Sequence, residues 1–186
     1  MTWTIPGTTL VGDRSEADRI ASLFDSMFLP GGMVLSQVAS ISGLEPYTVQ
    51  NWVKRGFLSP PQGKRYSMRQ LCRILNINML KGALTMEQIC GLLGYINGQL
   101  DDETDDLIDD SQLYFMFVRL AVRSRKQDSI EVWHQAIEEV LSDYAEPVPG
   151  ARERITQVLK IMLMAWFATK LRQQAEDMLA ALPKSE

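Results

Sequence analysis

The chain has 186 residues and a net charge of −4, with 46% hydrophobic and 23% charged residues, which is typical of a soluble protein of one or two domains. No apolar stretch is long enough to span a membrane, and the first residues lack the pattern of a secretory signal. Cys72 and Cys90 are the two cysteines, and their helix-like context predicts free thiols in a reducing cytoplasm.

Capping residues, helix breakers and hydrophobic spacing predict a mainly α-helical chain. We expect helices at 15–28, 36–43, 46–55, 68–80, 85–98, 112–125 and 128–144, and one of about 30 residues from 151. Ser67 with Gln70, and Thr85 with Gln88, have the spacing of capping boxes. The turn-forming sequence "SPPQGKR" predicts a small β-hairpin between short strands at 57–58 and 65–66.

Charge is distributed unevenly along the chain. Residues 33–82 contain seven cations and one carboxylate, Glu45, which gives +6, whereas residues 83–110 contain eight carboxylates and no cation. Such asymmetry favours a basic binding surface beside an acidic element.

The basic segment contains two short predicted helices joined at Gly43, an arrangement typical of a helix-turn-helix. In the second helix Val49, Trp52 and Val53 share one face, which we expect to pack on the helix before it. The other faces combine base-reading amides and hydroxyls with phosphate-binding cations. The predicted DNA-binding residues are Tyr47, Thr48, Gln50, Asn51, Lys54 and Arg55, together with Lys64 and Arg65 in the following turn.

The stretch "LSQVASISGLEPYTVQNWVKRGFLSPP", followed by "KRYSMRQLCRIL" and "LKGALTMEQICGLL", resembles the MerR-type winged helix-turn-helix domain. Residues 35–120, with "INMLKG" and "YINGQLDDETDDLIDDSQLY", are more similar to an uncharacterised bacterial family of MerR-like regulators described only as a domain of unknown function. Gln50-Asn51-Trp52-Val53 replaces the usual Arg-Tyr-Tyr-Glu, and no cysteine follows Cys90, so the resemblance implies no metal sensing.

The resemblance implies a mainly α fold with an N-terminal helical extension at 1–32, a winged helix-turn-helix at 33–98, an acidic connector at 99–111 and a C-terminal helical dimerisation or sensor region at 112–186. It implies a cytoplasmic bacterial transcription regulator that binds double-stranded DNA as a homodimer, with no cofactor. The long last helix is the expected dimer contact. Met116, Trp133, Met162, Met164 and Trp166 either fill a core or enclose a small apolar effector.

Two other functions stay open at this point. The first is a protein-interaction adaptor that keeps the fold without binding DNA, which the overall acidity and Gln50 favour. The second is an enzyme that uses the acidic run, but His134 is the only histidine and no nucleophile relay or phosphate-binding loop accompanies it. The sequence therefore predicts no enzyme, and it predicts that the acidic run is a solvated connector that caps the helix near 112.

Overall fold

The computed structural model describes residues 2–98, 100 and 106–182, and this part of the chain is mainly helical. Its elements are β1 (Thr2–Thr4), β2 (Val11–Asp13), a 3₁₀ helix (Arg14–Arg19), α1 (Ile20–Phe28), α2 (Leu35–Ser42), α3 (Pro46–Lys54), α4 (Met68–Leu80), α5 (Met86–Asn97), α6 (Asp110–Arg123), α7 (Ile130–Val140) and α8 (Ala151–Ala180).

The predicted capping boxes form at the starts of α4 and α5. The Ser67 hydroxyl accepts from Gln70 N, and the Gln70 side chain accepts from Ser67 N at 2.9 Å. Thr85 and Gln88 repeat this pair of bonds. Because each box satisfies two backbone N–H groups that lack partners within the helix, it fixes the first residue of the helix.

Helix α4 lies at the centre of the fold. Most of its side chains are buried, and it packs against α1, α2, α5, α6 and α8. Leu71, Ile74 and Leu75 are fully enclosed. A helix that is apolar on most sides is stable only when neighbours cover each side, so α4 joins the N-terminal helices to the C-terminal ones in one core.

The N-terminal segment begins with a hairpin that the sequence analysis did not predict. Strands β1 and β2 pair antiparallel, with Trp3 opposite Gly12. The loop between them contacts α4 closely, because a Cβ on Gly7 would lie 2.6 Å from the Leu75 carbonyl oxygen. The prediction of one helix from Ser15 was wrong, since Asp13 caps a 3₁₀ turn that precedes α1.

The predicted wing strands at 57–58 and 65–66 do not pair. Residues 57–58 form a bend, while Tyr66 makes an isolated antiparallel bridge with Met33 and Arg65 makes one with Gln62. The backbone groups of Tyr66 are satisfied by Met33 N and O at 3.0 and 2.8 Å. Residues 62–65 therefore form a tight turn, and Tyr66 after it is hydrogen-bonded to Met33 just before α2.

Helix α8 is buried along one side of its first half and exposed over most of its second half. Met162 and Trp166 are enclosed, with Trp166 edge-on to Phe117 at 5.8 Å. Met164, expected in the same bundle, lies instead on the surface. Residues 171–180 are all exposed, and no described helix has the length and apolarity needed to cross a bilayer.

Candidate nucleic-acid interface

Helix α3 is held by one apolar face. Val49 and Trp52 are buried, and Val53 is half-buried against the same core. Pro46 begins the helix, where its missing N–H has no partner to lose, and Gly56 follows it with φ of +74°. The prediction that Trp52 belongs to the core is confirmed, so this side chain does not face a ligand.

The opposite side of α3 faces solvent. Of the eight predicted DNA-binding residues only Thr48 is half-buried, and the exposed ones are Tyr47, Gln50, Asn51, Lys54, Arg55, Lys64 and Arg65. Tyr47 is 70% exposed, although it is aromatic. The exposed side of the helix thus presents an aromatic ring, two amides and two cations to solvent.

The turn after α3 has a defined backbone. Gly63 and Lys64 both have positive φ, at +54° and +63°, between the bridged residues Gln62 and Arg65. Positive φ at both central residues is the arrangement of tight hairpin turns, and for a side chain such as that of Lys64 it costs about 1–2 kcal/mol. Lys64 is consequently presented at the tip of a fixed turn.

The cations around α3 differ in their local partners. Arg55 Nη2 lies 3.6 Å from Glu87 Oε1, and its guanidinium lies 4.6 Å from the centre of the Phe57 ring. Arg65 donates to the carbonyl oxygen of Gly32 at 2.9 Å. Within the described residues, Lys54 and Lys64 form no ion pair. These two lysines are therefore the cations most available to an anionic ligand.

Two arginines of the basic segment do not join this surface. Arg73 donates to the Phe57 carbonyl at 3.0 Å and to Asp110 Oδ2 at 3.2 Å. Arg69 Nη2 lies 2.5 Å from Asp106 Oδ2. The prediction that the cations of residues 33–82 form one basic binding surface was wrong for these two arginines, because Asp106 and Asp110 pair with them.

The same contacts correct the interpretation of the acidic run as a solvated connector. Residues 101–105 lie outside the described part, but Asp106 is mostly buried and the Asp110 side chain is only 1% exposed. Burial raises the pKa of Asp110, against the opposing pull of Arg73 and Arg69. The capping role is confirmed, since Asp109 accepts from Ser111 N at 2.7 Å at the start of α6.

Comparison with known proteins gives a family. The sequence model of the family described as "Domain of unknown function (DUF1836)" matches residues 18–117, more than half of the chain. The chain belongs to this family. The DUF1836 match includes α3, the following turn and the Arg69–Asp106 contact, and it ends before α7 and α8.

A relative that matches most of the chain is also found. The "Uncharacterized protein YkrK" of Bacillus subtilis (strain 168) is 23% identical over an alignment of 158 residues that covers 78% of this chain and 68% of that protein. No solved structure matches. The family relation is consistent with the expected domain of unknown function, whereas none of these comparisons includes a MerR-type protein.

Proposed function

We propose that this protein is a cytoplasmic bacterial transcription regulator that binds double-stranded DNA as a homodimer. The observation that carries the proposal is the exposed polar face of α3, bordered by Lys54 and by Lys64 on its rigid turn. In a MerR-like arrangement α3 enters the major groove, where Asn51 and Gln50 contact base edges. Lys54 and Lys64 approach phosphates, and their counterion release sets the affinity and its salt dependence.

Helix α8 supports the homodimer. Six exposed residues recur along it at alternating spacings of three and four: Ile161, Met164, Ala168, Leu171, Ala175 and Met178. This spacing is the seam of a coiled coil, and at 1.5 Å per residue the stripe is about 26 Å long. A second copy of α8, packed antiparallel, covers the stripe and places the two α3 helices apart for two half-sites.

Selection of bound sites from random DNA tests the proposed function, with the affinity then measured by fluorescence anisotropy at several salt concentrations. Lys54→Gln and Lys64→Asn each lower affinity for all sequences and reduce the salt slope by about 1. Asn51→Ala changes the preferred bases instead. Arg19→Gln, at a cation whose side chain is 78% exposed at the end of the 3₁₀ helix, serves as the control. Equal effects of Arg19→Gln and Lys54→Gln, or no enriched site, reject DNA binding through α3.

Sedimentation tests the α8 contact separately. Leu171→Glu and Met178→Glu place charges in the stripe, and we expect each to convert a dimer to a monomer. Leu29→Glu, at a residue that is 84% exposed after α1, controls for a general effect of added charge. A wild-type monomer at micromolar concentration contradicts the homodimer and leaves the assignment of α3 untouched.

A protein-interaction adaptor is the second candidate function. Arg55 and Arg65 already have partners in Glu87 and the Gly32 carbonyl, so fewer cations are available to phosphates than the sequence indicated. Absence of binding to genomic DNA at low salt, together with salt-insensitive binding to a protein, selects this candidate.

A further inference from the structure

An apolar groove of about 710 Å³ runs beside α3. Its walls come from the start of α2, one side of α3 and the turn that carries Lys64: Val34, Leu35, Pro46, Val53 and Pro61. Val34 is 37% exposed, so apolar surface in this groove meets solvent. Exposed apolar surface with a defined concave shape is typical of a contact site for another molecule.

The groove lies beside the proposed base-contacting face of α3 and is distinct from most of it. Pro46, Gln50 and Val53 follow one another at spacings of four and three, which places them along one side of the helix. Tyr47, Asn51 and Lys54 follow the adjacent side at the same spacings. The two surfaces share only Gln50 and, across the groove, Lys64.

The chemistry of the walls indicates what the groove accepts. Val34, Leu35 and Val53 offer no hydrogen bond to a phosphate or a sugar, and burying a phosphate against them has a large desolvation cost. A large apolar side chain such as Leu, Phe or Trp gains free energy there in proportion to the area it buries.

Charge at the rim indicates what flanks that apolar side chain. Lys64 lines the groove, and Lys54 follows Val53 on the exposed side of α3. Neither lysine has an ion-pair partner in the described chain. Carboxylates on the incoming segment would lie near these lysines, which raises the rate of encounter and excludes basic segments.

We propose that the groove between α2, α3 and the Lys64 turn binds a partner-protein segment in which large apolar side chains are flanked by carboxylates. Because Gln50 and Lys64 belong to both surfaces, the bound segment excludes DNA from α3. This exclusion rests on the proposed function, whereas binding of the segment does not.

A selection from short random peptides displayed on phage tests the proposal on the full chain, with counter-selection on Val34→Ser. Serine is a better N-cap residue than valine, so Val34→Ser removes an apolar wall while keeping the start of α2 intact. We expect enriched peptides to combine Leu, Phe or Trp with Asp or Glu. Their affinity should fall about fivefold in Val34→Ser and in Lys64→Asn.

Val132→Ser is the matched control, since Val132 is 48% exposed on α7, away from the groove, and its substitution should leave peptide affinity unchanged. No enrichment over the counter-selection, enrichment of basic peptides, or equal weakening by Val132→Ser overturns the proposal. A selected peptide that binds while the protein binds no DNA sustains the groove and rejects the DNA function. DNA binding without any selected peptide rejects the groove and sustains the DNA function.

Discussion

Replacement of Arg73 by methionine should destabilise the protein strongly, because it leaves Asp110 charged and buried. The Arg73 side chain is 9% exposed, Asp110 is 1% exposed, and their closest atoms lie 3.2 Å apart. After the change the nearest cation to Asp110 Oδ2 is Arg69 Nε at 3.9 Å, beyond hydrogen-bond reach. An uncompensated buried carboxylate costs about 3 kcal/mol, and the lost bond to Phe57 adds about 1 kcal/mol.

Urea unfolding followed by tryptophan fluorescence measures this loss, since Trp133 and Trp166 are both buried. The matched background is Asp110→Asn, which keeps the shape of the carboxylate and removes its charge. There the Arg73→Met substitution should cost only about 1 kcal/mol, from the Phe57 bond. A cost below about 1 kcal/mol in the wild type, or an equal cost in both backgrounds, would refute the claim that charge pairing dominates this contact.

Three other outcomes follow from the same structure. Gly7→Ala should destabilise the protein by about 2 kcal/mol or more, because φ is +74° and the new Cβ meets the Leu75 carbonyl. Gly91→Ala on α5, where a Cβ meets nothing within 4 Å, should stabilise the protein by about 0.5–1 kcal/mol. Equal urea midpoints for the two variants would contradict this. The raised pKa of Asp110 stabilises the fold below the ordinary value of 3.8, and this contribution is lost as pH rises through the raised value. Wild-type stability measured against Asp110→Asn should therefore decline over that pH window, and a flat difference would contradict it. Glu87→Gln should free Arg55 and tighten binding to any DNA up to about threefold, whereas weaker binding would show that Glu87 positions Arg55 productively.

The helices were predictable where their signals are local. Ser67 with Gln70 and Thr85 with Gln88 mark helix starts through contacts three residues apart, and Pro46 and Gly56 bound α3. The exposure of the polar side of α3 was also predictable from the 3.6-residue helical period. Once Val49 and Trp52 are buried, the period determines which residues of the helix face solvent.

Apart from the β1–β2 hairpin and the Asp13 cap, the contacts that were missed join distant parts of the chain. Arg69 and Arg73 have a regular helical spacing, but their carboxylate partners lie 37 residues later. Tyr66 pairs with Met33 because the turn folds back over the start of α2, which no local pattern near residue 57 reveals. The groove beside α3 likewise needs three elements that are brought together only by the fold.

The contact between Tyr114 and Pro6 determines when the chain can complete its fold during synthesis. The buried Tyr114 hydroxyl donates to the Pro6 carbonyl at 2.8 Å, and 108 residues separate the two. At ribosomal rates of roughly 5–20 residues per second, Pro6 is added to the chain about 5–20 seconds before Tyr114. The first strand pair must therefore wait, without its final neighbours, until more than half of the polypeptide has been synthesised. A fusion or chaperone that holds the N-terminus during that interval would delay the closing of the whole core.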